Sequence, residues 1–249
     1  MEIEFTSEEF DEFFANASRF IDEAEESFEN SIVYAEEENE KLSKEALSPA
    51  FSEANRLAQA ILLYLVRVKS GKAGNSSPQI GKKLSLIASY IRSNKHTLKV
   101  LMKGQYIVAA ATMKKDFEIM VRLAEISLGR DKEGKTPNPQ NAPQELRFIY
   151  GQLNNVAHIS RKHLVSFYST TEEQRSEGGI SVNPQFKKEQ FLAFYGYHIA
   201  LIQTIVAEAL KLYDEMYGKD KEYIQAFKYF IVLTRVVEDE GEKIIARSK

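Results

Sequence analysis

Apolar residues recur at intervals of three and four along most of this chain, and alternating strand patterns are almost absent. That interval places apolar side chains on one face of an α-helix, so it restricts the fold to packed helices. The first stripe comprises Phe10, Phe13, Phe14, Ile21, Ala24, Phe28 and Ile32. Thr6 and Glu9 have the spacing of a capping box, which predicts a long first helix running to about Ala46.

Glycine, proline and polar runs separate the predicted helices. Ser48 and Pro49 end the first helix and begin the second, which runs to about Val68, because serine suits an N-cap and proline the first helical position. The later helices are predicted at about 79–93, 95–104, 105–128, 144–158, 187–217 and 220–245. Two long polar loops, 129–143 and 169–185, interrupt this series.

These elements predict an all-α protein, an antiparallel helical bundle with long N- and C-terminal helices and two long loops. We interpret residues 1–249 as a single helical domain. It would comprise an acidic helix (1–47), a core (49–168) and a C-terminal helical pair (187–246).

Charge is separated along the chain although the net charge is only −3. Residues 1–53 contain 17 acidic and 3 basic residues, whereas residues 54–115 contain 12 basic residues and no acid. One interpretation is a face that binds the phosphates of RNA or DNA. Its candidate residues are Lys82, Lys83, Arg92, Lys95, Lys99 and Lys103, with His96 beside them. The alternatives are an acidic first helix packed across this basic region, or a protein partner.

Several classes of site are not expected. The chain has no cysteine, and its histidines at 158 and 163 are five apart, which does not place them on one helix face. No glycine-rich phosphate loop is present, so we predict neither a metal nor a cofactor. The most apolar stretch, Ala58 to Val66, is too short to span a bilayer, and the N-terminus is acidic. We therefore expect a cytoplasmic protein with no membrane association.

Two segments contain candidate catalytic residues. Tyr150, Asn154 and His158 step by four and would share one helix face, and a histidine can act as a general acid or base. Glu118 lies in an otherwise apolar stretch and needs a partner, which Lys114, four residues earlier, or His158 or Asn154 from another helix could supply. The alternative for His158 is a structural hydrogen bond to a neighbouring helix.

Together these segments resemble the HEPN-like helical proteins, closest to a bacterial subgroup of unknown function near the abortive-infection proteins. The resemblance covers about 95–163 and rests on Gly-x-Tyr before an Ala-rich helix, a basic residue four before Glu118, and Tyr-x-x-Leu-x-x-x-x-His. It implies a HEPN-like core of four or five helices, often dimeric, and in active members a metal-independent ribonuclease. Glu118 and His158 are the positions it carries over. This chain departs from the family where an arginine is expected four to six residues before the histidine, because Arg147 lies eleven before His158.

Three functions follow as hypotheses. The first is a non-enzymatic regulatory or nucleic-acid-associated module, in bacterial defence by family association. The second is a ribonuclease using His158 with Glu118 and Asn154. The third is a structural homo-oligomer, since the last two helices are rich in aromatic residues that suit an interface or a core. Those aromatics are Tyr213, Tyr217, Tyr223, Phe227, Tyr229 and Phe230.

Overall fold

The computed structural model describes residues 6–157, 181 and 183–247. It is 82% helical, has no strand among the described residues, and confirms the predicted all-α bundle. Its helices are α1 (Ser7–Ala46), α2 (Pro49–Arg67), α3 (Pro78–Met102), α4 (Tyr106–Ser127), α5 (Arg147–Ala157), α6 (Lys188–Tyr217) and α7 (Lys221–Arg247). Two short 3₁₀ turns, Pro139–Asn141 and Gln144–Leu146, lie between α4 and α5.

The predicted helix starts are present as hydrogen-bonded caps. The Thr6 hydroxyl accepts from the Glu9 backbone N–H at 3.2 Å, and the Glu9 carboxylate accepts from the Thr6 N–H at 2.8 Å. Ser48 caps α2 by accepting from the Phe51 N–H at 3.0 Å. These bonds join residues three apart, so the local sequence is enough to specify them.

The predicted break near Asn94 is wrong, because 78–102 form one continuous helix. Asn94 is buried inside α3 and accepts a hydrogen bond from the Tyr90 hydroxyl at 3.3 Å. The neighbouring Ser93 and Thr97 donate to the carboxylate of Asp116 on α4. Polar side chains that favour turns in isolation are therefore accommodated in a helix interior by partners on the same and the adjacent helix.

Two glycines end helices in backbone conformations that other residues rarely adopt. Gly104 has φ +78° between α3 and α4, and Gly218 has φ +76° between α6 and α7. A side chain at Gly104 would also meet the Asn39 amide at 2.7 Å. The split at Gly218 confirms the predicted division of the C-terminal helical pair.

Helix α6 lies at the centre of the bundle and packs against α2, α3, α4 and α7. It runs in the same direction as α2, since Tyr195 contacts Phe51 near one end and Tyr217 contacts Lys69 near the other. By length and composition α6 is the one described helix that could cross a bilayer, and half of its most apolar window is buried. The central helix of a packed bundle passes the same test, so this is weak evidence for a membrane span.

Among the described residues, the hydrogen bonds that join α1 to the bundle lie in the C-terminal part of the helix. Asn39 donates to the carbonyls of Lys103 (3.1 Å) and Pro184 (2.9 Å), and Ser43 donates to the Met102 carbonyl (2.8 Å). All hydrogen bonds and ion pairs that join α1 to other described elements lie at residue 31 or later. The preceding residues 7–30, which we name the arm, carry exposed apolar side chains: Phe10 58%, Phe14 70%, Phe20 73%, Ile21 48% and Phe28 50%.

Candidate nucleic-acid interface

Three of the six predicted phosphate-binding residues have carboxylate partners. Lys82 lies 2.8 Å from Asp131 in the loop after α4. The Lys83 side chain is only 8% exposed and lies 2.7 Å from Glu215 on α6, which removes it from the accessible surface. Lys103, at the end of α3, is paired with Glu36 on α1. Their charges are therefore largely balanced within the fold.

The other three predicted residues, Arg92, Lys95 and Lys99, are exposed on one side of α3 together with His96. We name these four residues the α3 cationic face. They share that side because their spacing of three and four returns to the same face of a helix. Tyr90, Asn94 and Thr97, which lie on the opposite side of α3, are buried. No carboxylate of the described residues lies within 4.0 Å of the Arg92, Lys95 or Lys99 cations.

The acidic helix does not cover this face. Its closest approach to the basic region is at Glu36, which accepts from Lys103 and Gln105 at the end of α3. At Glu40 the hydrogen bond from Lys44 lowers the carboxyl pKa, and the charges of Lys103 and Lys99 add to the effect. The alternative of an acidic helix packed across the basic region is therefore wrong for most of that region, because the contacts of α1 with it among the described residues lie at the end of α3 and just after it.

Helix α4 has two buried carboxylates, Glu125 and Asp116, and the one that faces α3 is Asp116 rather than the predicted Glu118. The two oxygens of Asp116 accept from the Ser93 and Thr97 hydroxyls, each at 3.0 Å. Burial raises the pKa of Asp116 to about 6, against the lowering effect of these hydrogen bonds. The Asp116 carboxylate thus joins α4 to α3 by two hydrogen bonds, on the buried side of α3 that faces away from the α3 cationic face. In the sequence Asp116 stands between Lys115 and Phe117, so its local surroundings did not mark it as buried.

The predicted catalytic residues are only partly described. Glu118 is half-buried and makes no ion pair with Lys114 among the described residues, so that predicted partnership is wrong. The Lys114 ammonium instead lies 5.7 Å from the centre of the Tyr150 ring, which also contacts Phe117 at 5.3 Å.

Helices α4 and α5 bring part of the predicted catalytic set together. Burial, and secondarily the charge of Glu118, raise the pKa of Tyr150, which indicates that this carboxylate lies near the ring. Asn154 is half-buried one turn further along α5. His158 lies outside the described residues, so the structure does not describe its distances from Glu118 and Asn154.

His198 is a buried titratable residue that the sequence analysis did not single out. It lies on α6 with 1% of its surface exposed, and burial lowers its pKa to about 4. Its Nε2 and the Oδ1 of Asn55 on α2 both lack a hydrogen-bond partner among the described residues. A neutral imidazole is favoured there because charging it would leave an uncompensated cation in the core.

Among the described residues, no group of three histidine, aspartate or glutamate side chains is arranged to hold a metal ion. Two surface depressions are lined by residues of α1 around Glu40 and of α2 around Tyr64. Neither is lined by the α3 cationic face, Asp116 or His198. The accessible chemistry of the described surface is therefore mainly that of exposed charges and exposed apolar faces.

No family model, curated protein or solved structure matches this chain. The resemblance to HEPN-like proteins accordingly stays a prediction.

Proposed function

We propose that this protein is a non-enzymatic, nucleic-acid-associated module that binds phosphate groups on the α3 cationic face. The observation that supports the proposal is the exposure of Arg92, Lys95 and Lys99 on one helix face with no described carboxylate in contact. The chain has a net charge of −3, so it contains more carboxylates than basic side chains. Its composition therefore does not require any cation to lack a carboxylate partner.

The arrangement suits a backbone contact better than a recognition of bases. The three cations lie within eight residues, Arg92 to Lys99, which is a rise of about 10 Å along the helix. Three phosphate contacts would give a slope of log K against log salt concentration of roughly −2 to −3. Contacts of this kind carry no sequence information by themselves, so we expect weak binding that is similar for RNA and DNA of different sequences.

A binding titration with a charge-reversal variant tests the proposal. Labelled single-stranded and duplex oligonucleotides would be titrated at low and high salt with the wild type and with the variant Arg92→Glu/Lys95→Glu/Lys99→Glu. We expect wild-type binding at low salt that weakens as salt rises, and loss of binding in the variant. Circular dichroism would check that the variant keeps its helical content.

The loop after α4 offers a matched control. Arg130→Glu/Lys132→Glu/Lys135→Glu changes the net charge by the same amount at three exposed positions that alternate with Asp131 and Glu133. We expect this control to retain most of the binding. Equal losses in the two variants, or no wild-type binding at the lowest salt, would overturn the assignment to α3.

A metal-independent ribonuclease using His158 is the second candidate. The packing of α4 on α5 favours it, because the ring of Tyr150 lies near Glu118 and Asn154 follows it by one turn. The test is incubation of labelled RNA, with a metal chelator present, with the wild type and with His158→Ala. Cleavage by the wild type alone would support this function, and equal absence of cleavage by both would remove it.

A further inference from the structure

The apolar stripe of the arm is a continuation of the face by which α1 docks on the bundle. Phe10, Phe14, Ile21 and Phe28 fall on the same side of the helix as Asn39, which is buried against the end of α3. In the last part of α1 this side is covered by the bundle, whereas in the arm it is exposed. An exposed row of large aromatic side chains on one helix is a feature of surfaces that bind a partner.

The charge of the arm limits what that partner can be. Residues 7–30 contain nine acidic residues and one arginine, and that arginine, Arg19, is paired with Glu23 at 2.8 Å. Two arms packed side by side would bring together two strongly negative helices, and an anionic membrane surface would repel the arm. The occupant should therefore present apolar side chains together with positive charge.

Helix α7 presents such a surface on the same protein. Ile224, Phe227 and Ile231 form an exposed apolar strip, with exposed fractions of 48%, 41% and 43%. Lys221, Lys228 and Arg235 are also exposed and recur every seven residues along one edge of this strip. None of these three cations lies within 4.0 Å of a described carboxylate.

The two surfaces also match in length. The arm stripe from Phe10 to Phe28 extends about 27 Å, and the α7 row from Lys221 to Arg235 extends about 21 Å. The α3 cationic face fits less well, because α3 has no large exposed apolar side chain between Arg92 and Lys99. Apolar contact and charge complementarity therefore favour the same docking surface.

We propose that the arm of one copy of this chain docks on the α7 face of a second copy. Aromatic side chains of the arm would cover Ile224, Phe227 and Ile231, and arm carboxylates would face the row of α7 cations. A reciprocal exchange of arms closes a dimer, whereas a one-way exchange builds a ring or a chain.

Charge reversal on each side of the contact tests this interface. One variant, Asp11→Lys/Asp22→Lys/Glu29→Lys, reverses a row of acids along the edge of the arm stripe. The other, Lys221→Glu/Lys228→Glu/Arg235→Glu, reverses the α7 row. We expect the wild type to show a mass above the 28.4 kDa of one chain in light scattering at raised concentration. Each variant alone should associate at least about tenfold more weakly, because like charges then meet across the contact.

Mixing the two variants supplies the decisive measurement. In the mixture the lysine-bearing arm meets the glutamate-bearing α7, and the unchanged arm meets the unchanged α7. Association should therefore return to near the wild-type level. The variant Arg92→Glu/Lys95→Glu/Lys99→Glu is the control, since it changes the charge equally and should associate as the wild type does.

Three outcomes would overturn the proposal. They are a wild type that stays monomeric at every concentration, an α7 variant that associates as the wild type does, and a mixture that fails to recover association. Normal helical content of both variants by circular dichroism separates these outcomes from misfolding. None of them bears on nucleic-acid binding, which the oligonucleotide titration tests at a different face.

Discussion

Asp116 and His198 are buried titratable residues whose protonation affects stability in opposite directions. Asp116 has its pKa raised to about 6, and His198 has its pKa lowered to about 4, in both cases chiefly by burial. Each therefore favours its neutral form in the folded chain. Both groups change charge in the interval between about pH 4 and 6.5, where their contributions to the free energy of unfolding partly cancel.

Substitution of Asp116 by asparagine should stabilise the protein above pH 6. The folded pKa of about 6 lies above the ordinary aspartate value of 3.8, so the stabilising protonated form is lost as the pH rises from about 4 to about 6. Asp116→Asn keeps a neutral group of the same shape beside Ser93 and Thr97. We expect the free energy of unfolding at pH 7.5 to rise by about 1–3 kcal/mol, with no gain at pH 4.

Urea denaturation of wild type and Asp116→Asn at pH 4, 5.5 and 7.5 measures this effect. Asp131→Asn is a control, because Asp131 is paired with Lys82 and its pKa is lowered rather than raised. An Asp116→Asn variant that is less stable than the wild type at pH 7.5 would contradict the assigned cost of ionisation.

Replacement of His198 should reduce the loss of stability in acid. The folded pKa of about 4 lies below the ordinary histidine value of 6.5, so the unfolded chain binds a proton first as the pH falls through this interval. We expect His198→Leu to make the difference in unfolding free energy between pH 7.5 and 4.5 smaller by about 2 kcal/mol.

The exposed His96 provides the comparison for this measurement. His96→Leu is the matched control, because it makes the same substitution at a histidine that is exposed in the folded chain. If both variants respond to pH as the wild type does, the burial of His198 does not govern acid stability.

At the scale of helices, α1 combines two environments within one uninterrupted element. Its capping box and its apolar stripe are continuous with the part that docks on α3, yet the arm side chains are exposed. The hydrogen bonds of Asn39 and Ser43 hold only the C-terminal part of the helix to the bundle. The contribution of an aromatic residue to stability should therefore depend on which part of the fold it occupies.

Truncation of an arm phenylalanine should scarcely affect the stability of the folded monomer. Phe20 is 73% exposed, so Phe20→Ala should change the free energy of unfolding by no more than about 0.5 kcal/mol. Phe191, on α6, is fully buried, and Phe191→Ala should cost about 3–5 kcal/mol. Denaturation at a concentration too low for self-association measures both, and a large loss for Phe20→Ala would show that the arm is packed within its own chain.

At the scale of the whole molecule, the basic segment is balanced by carboxylates from several parts of the chain. Lys69 pairs with Asp220 at 2.6 Å, Lys82 with Asp131, and Lys83 with Glu215. Among the described residues, the cation of this segment that forms an ion pair with the acidic helix is Lys103. The α3 cationic face and the α7 row are two exposed cationic surfaces on different helices. The first has no large exposed apolar side chain between Arg92 and Lys99, whereas the second lies beside Ile224, Phe227 and Ile231.

The two surfaces should therefore respond independently to mutation. Reversal of Arg92, Lys95 and Lys99 should remove oligonucleotide binding while self-association is kept. Reversal of the α7 row should remove self-association while each monomer keeps its oligonucleotide affinity. Oligonucleotide titration and light scattering on the same two variants check this pair of outcomes, and parallel losses in both assays would mean that one surface serves both purposes.

Short-range signals in the sequence were sufficient to predict most helices and their ends. The capping box at Thr6, the serine and proline before α2, and the glycine after α6 act on residues within one turn, so their effects do not depend on the rest of the fold. The same locality explains the error at Asn94. Its polar character favours a break, and only the packing of α3 against α4 supplies the environment that keeps the helix intact.

Tertiary structure alone decided which cations are exposed without a carboxylate partner and which of Asp116 and Glu118 is buried. It also decided at which point along α1 the apolar stripe stops contacting the bundle. Lys83 and Lys95 have the same charge in the same basic segment, yet Lys83 is buried against Glu215 while Lys95 is exposed. Asp116 and Glu118 are two residues apart, and only Asp116 faces α3. These outcomes depend on neighbours far away in the chain, and the periodicity of a single helix does not contain the positions of those neighbours.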